Sequence, residues 1–268
     1  GCTSEVNEMK YPETKKEDVQ DYIFGKTIED PYRWLEDFTS EEATEWVERQ
    51  NNLTDIYLEN EYQKKIKHDL EDIWITEDIS IPFRRGDKTF YYYDDGKQQQ
   101  SVFMMKDCNS CEPEVLLDPN QFSTDGTVSL SDISVSPNGE YLAYSVSDGG
   151  SDWRTWKVLN IQKKQETDDV IEWSKFSYAT WESDSSGFYY QRYKQPDEVL
   201  SDINKSPQLY FHRLGDKQEK DKLIYEDKKN PDYSWSISVP EKGLYRVLSI
   251  GEGTDERNFL SISLDGAL

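Results

Sequence analysis

Gly149-Gly150-Ser151-Asp152-Trp153 is the stretch of this sequence nearest to a nucleophile motif. A serine activated for acyl transfer sits at a strand-to-helix elbow in a Gly-x-Ser-x-Gly setting, followed along the chain by an acid and then a histidine. Here the final glycine is missing and Thr155 to Ile161 reads as a strand, so Ser151 is read as a turn residue. The two histidines do not complete a triad. His68 falls in a helical pattern and His212 in a strand pattern, neither placed to serve a nucleophile.

Cys108 and Cys111 form a Cys-x-x-Cys, but there is no second such pair and no histidine at ligand spacing, so a zinc site is not expected. A thioredoxin-type role would need the pair at a helix start within a βαβ pattern, and Asp107-Cys108-Asn109-Ser110-Cys111-Glu112-Pro113 is a polar loop. The pair is therefore either a loop disulfide or two idle thiols. No metal or other cofactor is expected. Gly1-Cys2 followed by a polar stretch resembles the start of a mature bacterial lipoprotein, which makes Cys2 a possible lipid anchor. The location would then be periplasmic or membrane-anchored, and otherwise cytoplasmic.

The elements that carry these residues are short strands. Pro137-Asn138-Gly139 has tight-turn chemistry and lies between runs rich in aromatic and β-branched residues. The same grammar recurs at Gly86, Gly187 and Gly243, so the turn glycines are spaced by 53, 48 and 56 residues. Repeats of this length, each holding several short strands, mark the blades of a β-propeller. The first blade has strands near Thr89 to Tyr93, Val102 to Met105 and Glu114 to Leu117. The second has Ile133 to Val135, Tyr141 to Val146 and Thr155 to Ile161. The third has Tyr178 to Trp181, Phe188 to Tyr193, Gln208 to Leu214 and Lys222 to Tyr225. A fourth starts near Ser234 and breaks off after Phe259 to Leu264, so the ring is expected to continue beyond this sequence.

Residues 10–75 follow a different, helical pattern. Thr39 with Glu42 reads as a capping box, after which Ala43, Trp46, Val47, Leu53, Ile56 and Tyr57 fall on one face. A second amphipathic segment carries Ile66, Leu70, Ile73 and Trp74. The expected organisation is a polar leader or tether over 1–9, a helical segment over 10–75 and an incomplete propeller over 76–268. Net charge is -23, from 31 basic and 54 acidic residues, which argues against nucleic acid and anionic membrane surfaces as partners. No apolar run approaches the roughly 20 residues that span a bilayer.

Asp30-Pro31-Tyr32-Arg33-Trp34-Leu35-Glu36-Asp37, then Glu45 to Asn51, Phe90-Tyr91-Tyr92-Tyr93, Leu117-Asp118-Pro119-Asn120, Asp125-Gly126-Thr127-Val128 and Gly150-Ser151-Asp152-Trp153 stand in one colinear order. In these blocks the sequence resembles the prolyl oligopeptidase family of serine peptidases from about Tyr11 to its end. The resemblance implies a mainly β fold: the first three blades and part of a fourth of a seven-bladed propeller. An α-helical N-terminal segment would pack on an α/β-hydrolase domain that lies outside this sequence. It implies cleavage of short peptides after proline, the propeller gating access. The partners implied are short proline-containing peptides and the C-terminal α/β-hydrolase domain of the same polypeptide.

The family's triad would fall downstream of Leu268. What the resemblance carries onto this chain is part of a substrate wall: Asp152 in the Ser-Asp-Trp string, Phe176, and Trp235 near where the family has a methionine. Gly251 and Thr254 replace the arginine and cysteine that the family has near that wall, which leaves the preference upstream of proline open. Two other readings remain: a free-standing propeller acting as a binding module, and the same region of an oligopeptidase specific for basic residues. A Gly-x-Ser-x-Gly about 250 to 300 residues beyond Leu268 would separate the peptidase from the module. The 268 residues alone are expected to hydrolyse no peptide; turnover of a Gly-Pro chromogenic substrate, abolished by a serine-directed inhibitor, would refute this.

Overall fold

The computed structural model describes residues 10–195 and 204–264; Cys2 and the leader lie outside the described residues. The chain divides into two compact units, with the boundary between Trp74 and Ile75.

In the first unit, β1 (Gln20–Ile23) and β2 (Lys26–Glu29) form a hairpin that the sequence pattern did not suggest. Its turn residues Phe24 and Gly25 both take positive φ, 51° and 76°, the geometry that matches strand twist in a two-residue turn. The guanidinium of Arg33, in the Asp-Pro-Tyr-Arg-Trp block, donates to Asp21 on β1 and, at 2.9 Å, to Asp30. The block is thereby anchored to the hairpin. Two helices follow, α1 (Glu41–Leu58) and α2 (Glu61–Trp74).

The cap of α1 is one residue later than expected. Ser40 accepts from the amide of Ala43 at 3.2 Å, while Thr39 donates to Asp37 and Glu42 accepts from Lys15. Any of several hydroxyls in Thr-Ser-Glu-Glu can cap, and local spacing does not choose between them. Of α1 only Ala43 is buried, and of α2 no residue. Ile66, Leu70 and Trp74 are 51%, 50% and 77% exposed, so an entire apolar stripe is uncovered. Among the described residues no helix is long and apolar enough to cross a membrane.

The second unit is a succession of small antiparallel sheets. The first contains β3 (Asp78–Ile79), β4 (Phe83–Arg85), β5 (Lys88–Asp94), β6 (Val102–Lys106) and β7 (Glu114–Leu117), with β3 and β4 both pairing with β5. The second is a meander of β8 (Val128–Val135), β9 (Tyr141–Asp148), β10 (Arg154–Asn160) and β11 (Gln165–Ser174). The third holds β12 (Thr180–Trp181), β13 (Gly187–Arg192), β14 (Gln208–Arg213) and β15 (Lys222–Tyr225). In the fourth are β16 (Tyr233–Ser238), β17 (Arg246–Glu252) and β18 (Asn258–Ser263). These are three blades and part of a fourth. Cys108 and Cys111, in the loop between β6 and β7, are joined as a disulfide, which decides between the two readings of the pair.

The second and third sheets each face two neighbours, and strand alternation distributes the side chains between them. From β9, Leu142 and Tyr144 join Phe90, Phe103 and Leu117 of the first sheet, while Ala143 between them turns the other way. From β10, Trp156 and Val158 pack with Trp181, Phe188 and Tyr190 of the third sheet. Tyr189, between those last two, goes with Trp235, Ile237 and Leu248 of the fourth. Such residues are apolar on consecutive positions, and this is why the strands read as aromatic runs instead of alternating ones.

The inner hairpin turns of the four blades touch one another in sequence. A Cβ on Gly86 would lie 2.6 Å from the carbonyl oxygen of Asn138, and one on Gly139 would lie 2.6 Å from that of Arg85. Asn138 donates its amide to the Ser185 hydroxyl at 3.2 Å, and a Cβ on Gly243 would meet the Ser183 hydroxyl at 2.1 Å. Gly187 is not the turn glycine of its blade. The positive φ there belongs to Ser185, at 61°, and Gly187 lies in β13 where a Cβ would meet the His212 carbonyl oxygen at 2.1 Å.

Gly139→Ala must strain a residue at φ 73° and push a side chain into the neighbouring turn. A loss of about 1 to 3 kcal/mol is expected in denaturant unfolding of the intact polypeptide. The same substitution at Gly149, whose Cβ would meet nothing within 4 Å, should cost less, since only its φ of 57° is then strained.

Candidate functional site

Between the third and fourth sheets lies an open cavity of about 660 Å3. Its outer rim is the loop from β11 to β12, which the chain enters with Trp173 at φ 61° and crosses with Phe176 at φ 48°. Positive φ at two aromatic residues is unfavourable, so the loop must be held from both sides. Ser174 donates its hydroxyl to the Gln191 carbonyl at 2.7 Å, and the Ser177 hydroxyl accepts from the Gln191 amide at 2.7 Å. Lys175 is buried, its ammonium 3.8 Å from the centre of the Trp153 ring and donating to Asn204 at 2.8 Å. Held this way, the loop turns the Phe176 ring outward at 51% exposure, beside Tyr178 at 70%.

Trp235 forms the floor. It is 6% exposed, its indole donates to the Pro207 carbonyl at 2.9 Å, and Tyr225 and Tyr233 meet its ring edge-on. Its own amide donates to the Gln191 side chain, so Gln191 ties the loop, the third sheet and the fourth together. Of the three residues carried over by resemblance, Phe176 and Trp235 therefore share one cavity, although Trp235 is also blade core.

Asp152 is not on that cavity. It is exposed in the loop from β9 to β10, where Gly149 and Gly150 both take positive φ. Ser151 in the same loop accepts from the Trp153 amide at 3.1 Å and donates its own amide to Asp148, which makes it a turn residue. Trp153 links this loop to the cavity rim by edge-on contacts with Trp173 and with Tyr193, which lines the cavity.

The other lining groups were not singled out from sequence: Tyr178, Gln191, Tyr193, Asn204 and Asp232 come from loops and from adjacent sheets. Gly251 and Asn258 lie at the far wall, where a Cβ on Gly251 would come within 3.2 Å of the Asn258 side-chain oxygen. Among the described lining residues there is no histidine, cysteine, lysine or arginine, and the one carboxylate, Asp232, is 3.7 Å from Lys205. Burial raises the Tyr193 phenol, and Tyr189 likewise, so these hydroxyls are neutral hydrogen-bonding groups at ordinary pH. The lining can hold an apolar or aromatic group and hydrogen-bond to its surroundings. It holds no nucleophile with a base.

A second open space, of about 690 Å3, is lined by the inner strands and turns of all four blades, among them Arg84, Pro137, Trp181 and Val239. Inner strands facing a common space are what a propeller channel consists of.

The prolyl oligopeptidase N-terminal beta-propeller domain is the family whose sequence profile matches residues 11–265. The chain belongs to this family. It is 42% identical over 252 residues to a prolyl endopeptidase of Elizabethkingia miricola, covering 93% of this chain and 36% of that protein. A prolyl endopeptidase of Elizabethkingia meningoseptica is 40% identical over the same shares. Among solved structures it is similar to a prolyl endopeptidase with a TM-score of 0.87 at 28% identity, over 96% of this chain and 38% of that one. Prolyl oligopeptidase B of Galerina marginata, bound to a 35-residue hydrolysis and macrocyclization substrate, gives 0.82 at 27% identity, over 94% and 38%. The chain thus spans about a third of the length of the relatives it matches.

The wall between the third and fourth blades is fastened by a second polar staple. Arg246 on β17 donates through two nitrogens to Glu182, which also accepts from the Tyr189 hydroxyl at 3.0 Å and the Ser183 amide at 2.9 Å. Burial works to raise the Glu182 carboxyl, but Arg246 and these donors outweigh it and hold the group below its ordinary value. A depressed carboxyl stabilises the fold above the unfolded value near 4.5, and that contribution is lost as pH falls through the folded value. Arg246→Met should cost about 3 kcal/mol in denaturant unfolding of the intact polypeptide at pH 7. The deficit should shrink as pH is lowered into the acid range, where Glu182, left buried without its cation, takes up a proton in the variant; a deficit independent of pH would show that the pair does not carry it.

Proposed function

We propose that this chain is the propeller side of a proline-specific serine endopeptidase acting on short peptides. In this reading an α/β-hydrolase domain, C-terminal in the same polypeptide, supplies the serine, acid and histidine, and the propeller gates what reaches them. The observation that carries the proposal is the cavity under Phe176: an aromatic side chain turned outward on strained backbone, over a tyrosine-rich lining that among the described residues has no histidine, cysteine, lysine or arginine. Such a surface suits contact with a peptide side chain and no chemistry of its own.

Two further observations support the division of labour. The uncovered stripe of Ile66, Leu70 and Trp74 on α2 needs a partner surface, and the hydrolase domain is the one this family membership suggests. The inner strands of the blades face a common space, and a closed ring around it would admit an extended peptide and exclude a folded protein. The alternative specificity for basic residues would call for uncompensated carboxylates in the wall. Among the described lining residues Asp232 is the one carboxylate and it is paired with Lys205, which favours the proline reading.

Phe176→Ala in the full-length enzyme tests the wall directly. For a substrate with an apolar residue two positions upstream of the proline, KM should rise roughly tenfold with kcat little changed, the loss expected for about 1.5 kcal/mol of uniform binding. A Gly-Pro substrate lacking that residue should be cleaved as by the parent. Equal effects on both substrates, or none on either, would remove Phe176 from the substrate wall.

A further inference from the structure

His212, on β14, is fully buried, and the cavity does not use it. Its Nδ1 is 2.7 Å from an oxygen of Asp221 and its Nε2 is 2.9 Å from an oxygen of Asp169. Both carboxylates are themselves buried, with Asp169 at 3% and Asp221 at 0% side-chain exposure. Asp169 belongs to β11, the outer strand of the second blade, whereas His212 and Asp221 belong to the third. The contact therefore spans a seam between two sheets.

The other groups on the seam complete it. Asp169 also accepts from the Gly215 amide at 2.6 Å and from the Thr167 hydroxyl at 2.5 Å. Asp221 accepts from the Tyr190 hydroxyl at 2.5 Å, and that phenol is pushed up by burial and by Asp221, so it stays a donor. Arg192, stacked on Tyr210, is the nearby cation that bears on Tyr190. Gln218 lies along β11, accepting from the Glu172 amide and donating to its carbonyl, both at 3.0 Å, as a neighbouring strand would.

An ionised carboxylate can only accept, so two of them on the two ring nitrogens require both nitrogens to donate. That is the imidazolium. A neutral ring would donate to one aspartate and turn a lone pair on the other, with all three side chains buried.

We propose that Asp169, His212 and Asp221 form a proton-dependent latch that fastens the outer strand of the second blade to the third, closed while the imidazole is charged and released when it loses its proton. Burial works against the charged ring, but the two carboxylates outweigh it and hold the imidazole at about 9. Asp169, which burial would raise, is held below its ordinary value by His212 and its other donors. A raised histidine contributes its stabilisation in full below the unfolded value near 6.5 and loses it as pH rises through the folded value. A depressed aspartate keeps its share down to below its ordinary value. The latch is therefore closed from about pH 4 to pH 7 and opens on the alkaline side.

Hydrogen exchange by mass spectrometry on the intact polypeptide, corrected for the intrinsic pH dependence of exchange, tests this locally. Between pH 7 and pH 10 the protection of segments 165–174 and 208–215 should fall at least tenfold, while β5 and β6 hold theirs. His212→Gln should show low, pH-independent protection in the same two segments. Asp221→Asn removes one of the two charges, so the fall should remain but its midpoint should move down by about one pH unit. Unchanged protection of the parent seam from pH 7 to pH 10 overturns the proposal even if His212→Gln does not fold. An Asp221→Asn midpoint equal to the parent's also overturns it.

Discussion

A four-stranded sheet that buries both faces cannot stand alone, and every other feature of the second unit follows from that requirement. The second and third sheets carry large side chains on both sides, Tyr144 and Trp156 on opposite faces of one, Phe188 and Tyr189 on opposite faces of the other. Each of these surfaces is covered only if the next sheet stands at a fixed distance and angle. The inner turns set that distance: with Gly86 and Gly139 each lying against the other turn's carbonyl, the two hairpins approach as closely as backbone allows. Beyond that contact the space between the sheets is filled by the aromatic and aliphatic side chains of the three core clusters.

Apolar filling does not fix the rotation of one blade against the next, because rings can slide. Buried polar staples do. Across the seam of the second and third blades stand Trp181 donating to the Ser134 carbonyl, Ser174 donating to the Gln191 carbonyl, and His212 bonded to Asp169. Across the next stand Gln191 to Trp235 and Glu182 to Arg246. Each joins a residue to one more than 15 positions away in sequence, and each leaves an unsatisfied buried group if the register is wrong. A misplaced blade is thus penalised by several hydrogen bonds at once. The single buried side-chain oxygen without a partner among the described residues, the hydroxyl of Ser145, sits in the middle of β9.

Most strands with aromatic and β-branched runs were legible within a residue or two, because consecutive apolar positions are what a sheet buried on both faces requires; β8 starts five residues before the expected Ile133. The outermost strand of the second blade was not legible. β11 reads Gln-Glu-Thr-Asp-Asp-Val-Ile-Glu, polar enough to pass for a loop, and its inward residues are only Asp169 and Ile171 before it meets the rim. The hairpin of β1 and β2 was hidden for a similar reason, since none of its residues is buried. Gly187 looked like the other turn glycines, but spacing alone does not distinguish a glycine that needs positive φ from one that lies beneath a neighbouring strand. At the candidate site, Phe176 and Trp235 were reached through family resemblance and meet on one cavity. Asp152 was reached in the same way and lies off it. The groups between them, Gln191 and Asn204 above all, carry no local signature, because what makes them matter is which sheet they face.

Among the described residues, several side chains that could be reactive are committed elsewhere. Both nitrogens of His212 are bonded, Ser151 closes a turn, the Cys108 and Cys111 sulfurs are joined, and Glu182 is neutralised by Arg246. Against that background the loop carrying Phe176 is the exception. Its positive φ angles cost on the order of 1 to 3 kcal/mol each in backbone strain, and the ring they turn outward is half exposed, so core packing returns little for it. A buried lysine, two serines and a glutamine are spent on holding that conformation. A fold that needed only to close its sheets would place an aromatic ring at this position inward, on relaxed backbone. The chain does the opposite, and it is on this exposed ring over an open cavity that the proposed contact with a peptide side chain rests.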